Sequence, residues 1–183
     1  MSQPTFSAWD KNIGNVEKIS YDEMIKKLSS LHFEYVNLEK ALDFIKRKDN
    51  YIYKKDLYDF MLKIFKKSNK KDFEDFDLER TMRILTEIMQ TPGIYNEILN
   101  KDKYFELLKD CEYMITHTSD KNALVVLRVK EKNKNTDIPI FYDSKNFVFY
   151  SGNEKYEDLH VLVYSLLALE QNKDCPVYTK YNK

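Results

Sequence analysis

NKDKYFELLKDCEYMITHTSDKNALVVLRVK, residues 100–130, changes its hydrophobic period twice. Residues 100–109 read as an amphipathic helix. Residues 112–118 are rich in β-formers and read as a strand. Residues 123–130 are apolar except for Arg128 and the terminal Lys130, as a central strand is when both faces are covered. Downstream, residues 138–142 and 147–150 flank a four-residue polar turn and read as a hairpin, with Pro139 expected at a strand start or on an edge. Residues 156–169 restore the helical period, with Tyr156, Leu159, Val163, Leu166 and Leu167 on one stripe, and Cys175 to Tyr178 read as a last short strand. The order predicts a small antiparallel sheet with a helix on each face.

The N-terminal half carries a different signal. Residues 1–19 are polar, broken by Pro4 and Gly14, and read as an irregular arm that Trp9 docks on the body. Ser20 is an N-cap with Glu23 as its capping-box partner. Helical spacing then recurs through Leu38 to Ile45, Leu57 to Phe65 and Leu78 to Met89. Thr91-Pro92-Gly93 stops the run, because proline cannot continue a helix and glycine permits a reversal. The predicted fold class is therefore α+β, in three segments: the arm 1–19, a helical module 20–91 and an α+β domain 92–183.

Composition narrows the function. Lys plus Arg equals Asp plus Glu, 30 each, so no net field draws in nucleic acid or a membrane surface. No apolar run reaches the roughly 20 residues that span a bilayer. Cys111 and Cys175, the two cysteines, form neither a disulfide framework nor a metal set on this reading, and the protein is expected in a reducing, cytoplasmic setting. His32, His117 and His160 lie on separate segments without metal-ligand spacing, and Cys111 with His117 makes a poor thiol–imidazole pair. Three glycines cannot supply a phosphate-cradling loop. The expectation is a non-enzyme without cofactor or metal.

The C-terminal pattern resembles a Src-homology phosphotyrosine-binding domain over about residues 94–181. Tyr95 matches the aromatic-led first strand of that family and Leu107-Leu108 the paired leucines of its first helix. Tyr113-Met114-Ile115-Thr116 stands where the phosphate-gripping Phe-Leu-Val-Arg run stands. The resemblance implies a phosphopeptide pocket with Thr116 in place of the usual arginine, Lys101 as a helix contact to phosphate, Thr118 as a loop hydroxyl and Arg128 reaching in from the next strand. Tyr142 and Tyr150 fall where the family binds the peptide beyond phosphotyrosine. Residues 42–60 look like an EF-hand helix–loop–helix with Ile52 in the apolar slot; such a helical module ending in Pro-Gly before this domain is similar to the Cbl ubiquitin-ligase recognition region, and also to the helical linker ahead of the same domain in STAT proteins. Ile45 and Arg47 take the first and third ligand positions, Asn50 replaces the bend glycine and Asp56 the terminal glutamate, a set that does not predict calcium binding.

Two functions follow as expectations. The first is a protein-interaction module, a signalling adaptor binding a phosphopeptide or related segment of another protein. The second is a phage, viral or toxin-system inhibitor that occludes an enzyme over about 800 Å² of its own surface.

Overall fold

The computed structural model describes residues 3–66 and 68–182; residues 1, 2, 67 and 183, the first two of them in the expected arm, lie outside the described residues. The chain is mixed α+β and divides into two compact units, Met1–Gln90 and Thr91–Lys183, with the division at the Thr-Pro-Gly stop.

The first unit is two helix–strand–helix segments followed by a long helix. The first segment is α1 (Ser7–Asn12), β1 (Lys18–Ser20) and α2 (Tyr21–Ser29); the second is α3 (Leu38–Ile45), β2 (Tyr51–Tyr53) and α4 (Lys54–Phe65). The long helix is α5 (Asp75–Gln90). β1 and β2 pair antiparallel, with Ile19 opposite Ile52, and both isoleucines are buried. Ser20 caps α2, accepting the Glu23 N–H at 3.3 Å. The expected irregular arm is instead a helix and a strand. Phe6, Ala8 and Trp9 are buried, the indole N–H donates to the Val16 carbonyl at 2.9 Å, and Phe6 meets Phe73 edge-on. Pro4 and Gly14 fall outside α1, so neither breaks it.

Asn50 takes the left-handed conformation, φ +66°, that a bend glycine would supply. In the same loop the Arg47 guanidinium grips both Asp56 oxygens, at 2.7 and 2.9 Å, and stacks over the Tyr53 ring. A cation of the chain's own thus occupies the terminal carboxylate of the loop.

The second unit holds α6 (Lys101–Leu107), β3 (Glu112–Thr116), β4 (Val125–Lys130), β5 (Asn135–Asp143), β6 (Val148–Ser151), β7 (Glu154–Tyr156), α7 (Leu159–Glu170) and β8 (Thr179–Lys180). The strands lie in the order β7-β6-β5-β4-β3-β8, antiparallel except for β8, which runs parallel to β3. β7 was not expected: Tyr156 belongs to it and not to the closing helix, because the turn at Gly152-Asn153 sends the chain back along β6. The last strand is Thr179–Lys180, not Cys175 to Tyr178. Pro139 sits inside β5 opposite Val126. Pairing with β6 begins only at Phe141, so the proline lies where β5 has one neighbour.

Side chains alternate across the sheet. Met114 packs with Tyr104, Phe105 and Leu108 under α6. Tyr113 projects the other way, where its ionisation is opposed by burial and then by Tyr164 of α7. A helix therefore covers each face. Gly93 has φ +96°, and a Cβ there would stand 2.6 Å from the Tyr113 ring, so only glycine fits this reversal. It leads into Ile94, which bridges Ile115 in parallel.

The two cysteines are joined. Cys111 and Cys175 form a disulfide with Cα atoms 5.4 Å apart, which corrects their reading as an unpaired set. The register explains why spacing hid it: β8 returns beside the start of β3 across 64 residues.

Candidate functional site

The site lies where α6 crosses β3, β4 and β5. In the antiparallel register Met114 faces Arg128, and Arg128 faces Asp137. Thr116, Arg128 and Asp137 therefore project from three successive strands onto the α6 face. Apart from the terminal Lys130, Arg128 is the charged residue of β4, and its side chain is only 8% exposed. Burying a guanidinium is costly unless it is paired and hydrogen-bonded.

Both conditions are met. Arg128 Nε donates to Thr116 Oγ1 at 2.8 Å, and Nη1 donates to Asp137 Oδ1 at 2.7 Å. Thr116 Oγ1 in turn donates to the His117 carbonyl at 2.9 Å, which fixes the rotamer that presents its lone pair. The guanidinium lies over the Tyr104 ring, 4.7 Å from its centroid, with Phe105 at 6.0 Å. Tyr104 is itself locked: its hydroxyl donates to the Glu97 carbonyl at 2.7 Å and accepts the Leu99 N–H at 2.9 Å. From α6, Lys101 Nζ reaches Asp137 Oδ2 at 2.9 Å. Each carboxylate oxygen of Asp137 thus meets a cation from a different element. Two cations against one carboxylate leave one positive charge in a partly desolvated corner.

Behind this corner Tyr95 meets Tyr104 and Tyr181 edge-on. Burial first, then its hydrogen bond to Glu97, pushes the Tyr95 hydroxyl up to about 12.

Of the residues singled out in the sequence, Lys101, Thr116 and Arg128 come together. Thr118 does not join them. It turns into its own loop, where its hydroxyl accepts the Asp120 N–H at 3.1 Å. Tyr142 is buried and packs edge-on against Phe149, so it is core and not binding surface. Tyr150 stacks on Phe141 across the β5–β6 pair. Tyr142 and Tyr150 lie on opposite faces, because their partners alternate in that register, so they form no single patch.

Asp137 and Tyr104 were missed. Asp137 carried a signal only once the β4–β5 register was known, as an opposite charge directly across from Arg128. Among the described residues no three His, Cys, Asp or Glu side chains are placed to hold a metal ion, and no helix is long and apolar enough to cross a membrane. Cys111 is bonded to Cys175, so the structure holds no thiol for the cysteine–histidine pair considered above.

The chain matches no family model among known proteins, and no curated protein resembles it closely enough to count as a relative.

Proposed function

We propose that this is a non-enzymatic interaction protein whose second unit reads a phosphotyrosine-bearing segment of another protein. The observation that carries the reading is the Arg128 guanidinium. It is more than nine-tenths buried on the α6 face, backed by Thr116 and Tyr104 and flanked by Lys101. A phosphoryl group is held by such a fork of charge-assisted hydrogen bonds.

The element order supports the resemblance to a Src-homology phosphotyrosine-binding domain: a helix, a run of antiparallel strands, a second helix and a final short strand. On this reading the departure at Thr116 is made good from the neighbouring strand. The arginine is supplied by β4, and the threonine holds its Nε. The paired β1–β2 loops of the first unit support the likeness to an EF-hand helical module, with Arg47 on Asp56 standing where a metal would be bound. The cytoplasm is the compartment such a reader needs, and the Cys111–Cys175 disulfide, a bond of the kind that persists in oxidising compartments, is the observation that stands against it.

Titrating matched phosphorylated and unphosphorylated tyrosine peptides against the full chain tests the proposal. Tighter binding of the phosphorylated forms is expected, together with its loss in Arg128→Met. Equal affinity for both forms would end the phosphate reading and leave an interaction with unmodified protein, such as an occluding inhibitor makes.

A further inference from the structure

We propose that Asp137 is a built-in anion that occupies the Arg128–Lys101 corner in the unliganded protein and is displaced when phosphate enters. This rests on the phosphate reading above.

Three observations carry it. First, Asp137 does what a phosphate would do: its Oδ1 takes Arg128 Nη1 and its Oδ2 takes Lys101 Nζ, bridging β4 and α6. Second, the corner keeps an unused donor. Arg128 Nε and Nη1 are engaged, while Nη2 makes no hydrogen bond among the described residues and is not among the sealed polar atoms. With Nη1 held by a carboxylate that is itself partly exposed and Nη2 unused, the guanidinium has donors for an oxyanion with more oxygens than a carboxylate has. Third, the occupant can leave. The Asp137 side chain is 25% exposed and Lys101 65%, against 8% for Arg128. Asp137 also lies on the part of β5 that pairs with β4 alone, before β6 joins at Phe141.

Charge decides the competition. A phosphotyrosine dianion brings about two negative charges and three acceptor oxygens. It outbids one carboxylate for the fork, but it works against that carboxylate as it enters. Removing the charge at position 137 should therefore strengthen phosphate binding, the reverse of what loss of a structural ion pair would do.

The test compares O-phosphotyrosine, with tyrosine as the blank, on the wild-type chain, Asp137→Asn and Asp137→Glu. Asp137→Asn is expected to bind O-phosphotyrosine roughly tenfold more tightly, and Asp137→Glu, which keeps the charge, within about threefold of wild type. In the unmutated chain the Asp137 carboxyl carbon resonance should move as O-phosphotyrosine saturates the site. Because that measurement needs no variant, it decides the matter even where Asp137→Asn does not fold. Wild-type binding with no gain in folded Asp137→Asn, or a carboxyl resonance unmoved at saturation, overturns the displacement and leaves the phosphate reading standing. Failure of every protein to prefer O-phosphotyrosine over tyrosine removes both.

Discussion

Thr116 holds a buried cation in place with one hydroxyl. It is fully buried, accepts from Arg128 and donates to the backbone of His117. Valine has nearly its shape and none of its hydrogen bonding. Thr116→Val should leave the Nε of a buried guanidinium without an acceptor, at a cost of about 1–3 kcal/mol, read as a lower urea midpoint at unchanged slope. A midpoint equal to wild type would mean that water reaches the guanidinium. Tyr178 makes a second residue-scale case, and this one depends on pH. Its hydroxyl donates to Glu131 and to the Glu170 carbonyl, both at 3.0 Å. Burial first, then the bond to Glu131, pushes it from 10.0 up to about 12. The fold thus holds a proton that the unfolded chain has already lost. This contribution is complete below about pH 10 and disappears as pH rises from 10 to 12. Tyr178→Phe should show a shallower loss of stability over that window, and an identical slope would refute the assignment.

The disulfide and the β2 loop make their predictions at the scale of elements. Closing 64 residues between Cys111 and Cys175 removes chain entropy from the unfolded state, worth roughly 4 kcal/mol on the loop-length relation. Reduction, or Cys111→Ser with Cys175→Ser, should lower the denaturation midpoint of the second unit. It should also speed hydrogen exchange at Thr179 and Tyr181, whose N–H groups dock β8 onto Cys111 and Tyr113. Unchanged exchange there would show that β8 holds without the bond. In the first unit Arg47 already satisfies Asp56, so millimolar calcium should leave the melting temperature where chelator leaves it. These elements also mark what was legible in the sequence. The strong periods of α5, β4 and α7 and the Thr-Pro-Gly stop could be read directly, because each follows from side-chain spacing or backbone sterics. The arm helix, β7, the disulfide and Asp137 could not. Each depends on which segment returns beside which, and that pairing is set by tertiary register and not by local pattern. Tyr142 failed for the same reason: aromatic content marked the hairpin, but only the face decides whether a tyrosine is core or surface.

At the scale of the molecule, each unit carries its own set of buried residues. In the first, Met24, Leu28, Leu42, Ile52, Leu57, Met61 and Leu85 are almost completely excluded from water; in the second, Met114, Ile115, Leu127, Val129, Ile140 and Leu162 are. The division falls at Thr91, where helix α5 ends and the reversal through Gly93 begins. A segment of this size with its own core and paired backbone is long enough to fold alone, although with a modest margin, since small domains bury a lower fraction of their surface. Residues 91–183 produced alone should therefore unfold in one cooperative step and keep the near-ultraviolet signal of packed tyrosines. The corner of Arg128, Thr116, Asp137 and Lys101 is made entirely from α6, β3, β4 and β5. A stable second unit should accordingly retain the affinity of the full chain for O-phosphotyrosine to within a few fold. Loss of that affinity in a segment that still melts cooperatively would mean that residues 1–90 complete the site, and would move the search for the binding surface to the first unit.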